Sequence, residues 1–253
     1  MLGLFLIFIN ENNVMSPTNN VEFVVEAVAN GKSNKQKRRP KSPIRFQIPL
    51  NEEQKTAKSL ILENDITVLT GVAGSGKTLV ACQAGLDLLF RREVEKIIVA
   101  RPTVTAKEEI GYLPGDIKSK LDPYIAPIYD NMYRLYNKEK IDKEFAEGRI
   151  EIIPFAYMRG RNFSDAFIIL DEAQNITDTQ MELAITRLCD GSKMCIVGDT
   201  GQIDLKYKKD SGMFFLSKGI AGNVPGVESY HLKTNHRHQI VEPILKIYKE
   251  LRD

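Results

Sequence analysis

Short, largely apolar runs recur at residues 66–69, 96–100, 150–153, 166–170 and 194–197, and longer stretches with helical periodicity separate them. Runs of this length, largely apolar rather than strictly alternating, read as parallel strands buried on both faces and joined by crossover helices. Before the first run, Asn51 can cap a helix over residues 51–62, in which Ala57, Leu60 and Ile61 recur at helical spacing. A helix over residues 79–90 follows the first run. Near the end, Ile240, Ile244, Ile247, Tyr248 and Leu251 share one helical face, provided that Pro243 falls in the first turn. No internal repeat is visible. The pattern predicts an α/β fold over residues 46–253, a mostly parallel sheet flanked by helices.

Residues 1–45 behave differently. Leu2 to Ile9 form an apolar run too short to span a bilayer and without a basic residue before it, so neither a transmembrane helix nor a secretory signal is expected. Met15 offers an alternative start that deletes this run; otherwise it reads as a short strand or a partner-binding segment. After a Val/Glu-rich stretch at 21–29, Lys32, Lys35, Lys37, Arg38, Arg39, Lys41 and Arg45 crowd a segment free of acids and interrupted by Pro40 and Pro43. That is the composition of a disordered basic arm. It serves either as a solvated linker or as a phosphate-neutralising, salt-sensitive contact to nucleic acid.

Composition narrows the function classes. With 253 residues, 43% of them hydrophobic, the chain buries one sizeable core and leaves no room for a long two-domain motor. Its net charge is only +2, so any nucleic-acid surface must be local. Candidates are Arg101, Lys107, Lys206, Lys208 and Lys209, with Tyr112, Tyr124 or Tyr207 available to stack bases or simply to pack. Cys82, Cys189 and Cys195 form no C-x-x-C pair, which argues against a disulfide framework or a zinc site and fits a reducing, cytoplasmic setting. Cys82 and Cys195 sit in apolar segments and read as small buried hydrophobes.

The chemistry announces itself at residues 71–78, where Gly71, Val72, Ala73, Gly74, Ser75, Gly76, Lys77 and Thr78 fit G-x-x-x-x-G-K-[ST] in full between a strand and a helix. Glycines there let backbone N–H groups wrap phosphates, Lys77 can bridge the β and γ oxygens, and the Thr78 hydroxyl can ligate Mg²⁺. The nucleotide-binding set extends to Leu79 and to Gln54, which either reads the adenine edge or is an exposed helix glutamine. A second apolar strand ends in Asp171-Glu172: Asp171 to hold Mg²⁺, usually through water, and Glu172 to polarise the attacking water. A third ends in Gly198-Asp199-Thr200-Gly201-Gln202, where Gln202 can bond both the γ-phosphate and the water unless this is a plain solvated turn. Arg101, Arg159, Arg161, Arg187 and Arg237 follow or flank strands; Arg187 suits a surface or salt-bridge role, and Arg237 a phosphate contact. His236 and His238 lack further ligands at zinc spacing.

Taken with Arg101-Pro102, residues 111–116 (GYLPGD), Asp122-Pro123-Tyr124, Met158-Arg159-Gly160-Arg161, Asp171-Glu172-Ala173-Gln174-Asn175, Thr186-Arg187-Leu188 and Gly198-Asp199-x-x-Gln202-x-Asp204-Leu205, the chain resembles PhoH family proteins from about Phe46 to Leu251. The resemblance implies a single RecA-like domain related to the first motor domain of superfamily 1 helicases, ATP hydrolysis with Mg²⁺, and association with single-stranded nucleic acid, RNA favoured. Leu232-x-x-Asn235-x-Arg237 also looks like the helicase motif whose arginine contacts the γ-phosphate, which favours Arg237. No nuclease-like domain of the kind fused to some relatives is expected, and short members of the family in phage genomes make a phage or bacterial origin plausible. Two other functions compete: a nucleotide-switched binding module with little turnover, and a thymidine-kinase-like enzyme, for which the four-cysteine zinc lobe is missing. A lone RecA-like domain exposes half an ATP site, so a homo-oligomeric ring, a hexamer, is expected, with Arg159 or Arg161 acting in trans and Arg237 in cis.

Overall fold

The computed structural model describes residues 44–102, 117–203, 205 and 207–251. The apolar run at 2–9, the stretch at 21–29, the basic arm up to Lys41, Lys107, Tyr112, Asp204, Lys206 and the motif at 111–116 lie outside the described residues, as do the side chains of Tyr124 and Lys208.

Asn51 caps α1 (Glu52–Glu63) in a reciprocal capping box: its side chain accepts the Gln54 N–H while the Gln54 side chain accepts the Asn51 N–H. The chain then enters β1 (Ile66–Gly71) and, after the phosphate-loop turn, α2 (Lys77–Phe90). Every residue of α2 from Val80 to Leu89 is buried, because the helix is wedged between the sheet and helices α1 and α3. At Gly85 a Cβ would come within 2.8 Å of Phe167 Cδ1, so the glycine sets how closely helix and sheet approach.

There follow β2 (Lys96–Arg101), α3 (Ile117–Leu135), α4 (Lys138–Ala146), β3 (Ile150–Pro154), β4 (Ala166–Leu170), α5 (Asp178–Ile185), β5 (Lys193–Gly198), α6 (Gly212–Phe215), β6 (Val227–Leu232) and α7 (Val241–Glu250). Pro243 falls in the first turn of α7, where its missing N–H costs nothing. Among the described residues no helix is long and apolar enough to cross a membrane.

The six strands form one sheet in the order β3-β2-β4-β5-β1-β6, every pair parallel. Side chains alternate between its faces: Phe167, Ile169, Cys195 and Val197 enter the core under α1 to α4, whereas Ile168, Leu170, Met194 and Ile196 enter the core under α5 and α6. Covered on both faces, these strands read as unbroken apolar runs. Each fully buried aliphatic or aromatic side chain contributes roughly 1.5–3 kcal/mol, so the central strands anchor the fold. Cys82 and Cys195 belong to this core, and burial pushes both thiols well above the ordinary cysteine range.

Because all strands run the same way, their C-terminal ends share one rim. Register aligns Thr70 of β1 with Gly198 of β5, and Leu170 of β4 with Ile196 of β5. The phosphate loop and the Asp171-Glu172 turn therefore flank the Gly198–Gln202 turn, since β5 lies between β1 and β4. In parallel sheets, ligands bind at this rim.

Candidate active site

The loop from β1 to α2 turns on two glycines in left-handed backbone, Gly74 and Gly76, both at φ 85°. The left-handed backbone is what calls for glycine there, and neighbouring side chains crowd both positions. A Cβ on Gly74 would lie 2.7 Å from Arg237 Cγ, and one on Gly76 2.6 Å from Gln54 Nε2. No side chain caps α2, so its first-turn N–H groups remain available to an anion.

Around this loop a cleft of about 590 Å³ opens, within the usual range for a small-molecule site. Its walls include Gln54, Ala73, Gly74, Gly76, Lys77, Thr78 and Leu79, then Asp171, Glu172, Gln202 and Arg237. Gly71, Val72 and Ser75 complete the turn behind it. The Lys77 Nζ donates to the carbonyls of Gly71 (2.8 Å) and Val72 (3.0 Å). Burial lowers the Lys77 ammonium pKa from its ordinary value, opposed by the charges of Asp199, Glu172 and Asp171.

Opposite, the Thr78 hydroxyl donates to Asp171 Oδ1 at 2.8 Å. Asp171 is only 3% exposed, and desolvation raises its pKa; the Arg101 guanidinium and the Thr78 hydrogen bond pull it back. Glu172 adopts a left-handed backbone, φ 54° and ψ 35°, rare for a residue with a Cβ and costing on the order of 1–3 kcal/mol. Two side chains hold its carboxylate: Arg101 Nη2 at 3.2 Å from Oε1 and Gln174 Nε2 at 2.7 Å from Oε2. Gln174 in turn accepts the Asp199 N–H at 3.1 Å, tying the end of β4 to the end of β5.

Gln54, read from sequence as either an adenine contact or an exposed helix residue, is 5% exposed. Its amide is engaged twice, donating to Ser75 O at 3.2 Å and accepting from Asn51 N at 3.2 Å. It lines the cleft while bracing the loop. Gln202 is exposed at the rim, its backbone N–H donating to Asp199 O at 2.9 Å. Of the arginines, Arg237 lies across Gly74, and Arg101 bonds the catalytic glutamate candidate. Arg161 makes a two-pronged ion pair with Glu151 (both contacts 2.8 Å), Arg187 bonds Leu183 O and Thr186, and Arg159 is exposed on the turn after β3.

Sequence reasoning gave no cleft role to several residues here. Asn131 and Arg134 of α3 line the cleft, as do Asn51 and His236. On α3 nothing distinguishes them from solvated helix residues. Asn51 was read as a cap, and His236 was weighed only as a zinc ligand and set aside.

A nucleotide fits these residues. Ser75 Oγ is buried without a hydrogen-bond partner, the first turn of α2 carries no side-chain cap, and cations converge on the turn. Mg²⁺ takes few protein ligands and the rest from phosphates and water. Thr78 Oγ1 and Asp171 supply two oxygens of that kind, the residues that would hold it. Among the described residues, no cluster of three or more His, Cys, Asp or Glu could hold a metal ion.

An all-parallel sheet with β5 inserted between the phosphate-loop strand and the acidic strand, and these side chains on its rim, defines a RecA-like P-loop nucleotide-binding domain of the ATPase type. The family model for PhoH-like protein matches residues 47–249, and the chain belongs to that family. It is 42% identical over 187 residues to a PhoH-like protein of Bacillus subtilis, covering 73% of this chain and 58% of the relative. Against a PhoH-like protein of Synechocystis it is 40% identical over 191 residues, 75% of this chain and 58% of the relative. Against Protein PhoH of Escherichia coli it is 39% identical over 182 residues, covering 69% and 49%. The chain thus spans about half the length of the curated relatives it matches. Among solved structures it is similar to the Pif1 helicase of Candida albicans, at 15% identity and a TM-score of 0.42, covering 81% of this chain and 44% of that one.

Proposed function

We propose that this chain binds and hydrolyses ATP with Mg²⁺ and couples turnover to binding, translocation on, or remodelling of single-stranded nucleic acid, RNA favoured. The observation that carries the hydrolytic part is the convergence of Lys77, Thr78 with Asp171, Glu172 and Arg237 on one cleft. Phosphoryl transfer asks for positioning and charge stabilisation more than for covalent chemistry. The α2 N-terminus and Lys77 bind the phosphates, Glu172 accepts the proton of the attacking water, and Arg237 stabilises charge on the transferred group. Mg²⁺, where bound, neutralises phosphate oxygens beside Thr78 and Asp171. Arg101 and Gln174 orient Glu172.

Support for a nucleic-acid partner comes from family resemblance and from local surface chemistry. Tyr207 is 53% exposed, with Lys209 Nζ 5.8 Å from its ring centre, a pairing suited to a stacked base beside a phosphate. Phosphate release, measured with ATP, Mg²⁺ and either single-stranded RNA, single-stranded DNA or neither, tests the coupling. RNA should raise the turnover number, and rates indifferent to both polymers would remove it. One observation favours the alternative, a nucleotide-switched module with little turnover: both oxygens of Glu172 are already engaged. Release of less than one phosphate per chain under every condition would select that alternative.

A lone RecA-like domain is expected to expose half of an ATP site, which a neighbouring copy in a hexameric ring would close. Arg159 is the better-placed trans arginine, because Arg161 is committed to Glu151. Mixing Lys77→Ala chains with chains carrying Arg159→Ala and Arg161→Ala should restore part of the hydrolysis that each lacks alone, since some interfaces then hold an intact lysine and an intact arginine. Monomers by light scattering with full activity at the same concentration would contradict the ring.

A further inference from the structure

We propose that Glu53 is a positioning residue that fixes Arg237 over the phosphate loop. The inference rests on the reading of Arg237 as a γ-phosphate contact. Glu53 stands in the first turn of α1, yet both its oxygens leave the helix: Oε1 accepts the N–H of Lys233 at 2.5 Å, and Oε2 accepts that of Thr234 at 3.2 Å. These two residues directly follow β6, whose last residue, Leu232, is held in register with Gly71. The chain leaves the sheet at this point, and only Asn235 and His236 separate the clamped amides from Arg237. Bonds from carboxylate to backbone N–H are among the stronger ones available to a partly exposed group.

Neighbouring residues of the same turn reach the same two loops. Gln54 Nε2 donates to Ser75 O in the phosphate loop, Asn51 Nδ2 lies 3.1 Å from His236 Nε2, and the His236 N–H donates to Gly74 O at 3.1 Å. One helical turn therefore gauges the phosphate loop through Gln54 and the arginine turn through Glu53 and Asn51. An acid in a first turn is ordinarily explained by the helix dipole. That role leaves the carboxylate beside its own helix, whereas here both oxygens cap the start of another segment. The Lys233 N–H also holds the Glu53 carboxyl below its ordinary pKa, so the clamp is ionised throughout the neutral range.

The test is a double-mutant cycle of Glu53→Ala and Arg237→Ala, read as kcat and KM for ATP, with amide exchange at Lys233 and Thr234 followed in parallel. Arg237→Ala must first lower kcat, which checks the underlying reading separately. Glu53→Ala should then lower kcat about 10- to 100-fold, the scale of an ångström-level misplacement, with KM nearly unchanged. In the Arg237→Ala background it should have no further effect, and Glu53→Gln, which keeps one acceptor oxygen, should fall between parent and Ala. Additive losses, or a parental kcat in Glu53→Ala, would overturn the proposal. Should the parent not turn over ATP, faster exchange of the two amides and a reduced preference for ATP over ADP in Glu53→Ala support the clamp. Unchanged exchange overturns it.

Discussion

Lys77→Ala should lower ATP hydrolysis by at least about 1,000-fold and weaken nucleotide binding, because on the proposed reading it removes a cation that would contact phosphate in both the ground state and the transition state. Lys77 sits at the first position of α2, and its ammonium is already drawn into the loop by the carbonyls of Gly71 and Val72. Asp171, Glu172 and Asp199 all act to keep it charged despite its burial. Alanine in its place leaves a helix N-terminus that can still attract an anion, so residual binding is expected and residual turnover is not. Stopped-flow phosphate release and nucleotide titration on the same preparation separate these two effects.

Glu172→Gln should behave differently. The amide keeps the size of the side chain but cannot take a proton, so hydrolysis should slow by about 100- to 10,000-fold, the usual contribution of a general base. ATP affinity should stay near that of the parent, because the proposed role of Glu172 is toward the attacking water and not toward the phosphates. A filter assay should find ATP retained by Glu172→Gln under conditions in which the parent retains ADP. A parental rate in this variant would remove Glu172 from its role. The substitution also exchanges the Arg101 ion pair for a weaker neutral contact, so the melting temperature of the variant must be shown to match that of the parent.

What could be read from the sequence follows from how each part of the fold is buried. Strands β1, β4 and β5 are covered on both faces, so their residues are largely apolar and their positions were legible to within two residues. Among the described residues the edge strand β6 pairs with β1 alone, and it is less covered than the central strands, with Ser229 and His231 exposed on one face and Glu228 and Tyr230 half-buried on the other. Polar residues at half its positions keep it from standing out as an apolar run. The phosphate loop and Asp171-Glu172 were legible because the chemistry restricts residue type at fixed spacing. Tertiary contacts have no such spacing. Gln54 and Ser75 are 21 residues apart, and Glu53 and Lys233 are 180 apart. From sequence Gln54 therefore looked like an adenine reader or a surface residue, and Glu53 like any first-turn acid. Arg237 was favoured among five arginines by its place before the last helix and then by the resemblance of its motif; in the structure its side chain approaches Gly74 closely.

Multiple-turnover phosphate release by the parent, Lys77→Ala and Glu172→Gln chains, purified alike and given ATP and Mg²⁺, tests hydrolysis at this cleft most directly. The parent should release many phosphates per chain, Lys77→Ala none above background, and Glu172→Gln only a slow trace while holding ATP. Equal release from all three would place the hydrolysis outside the cleft and contradict the assignment.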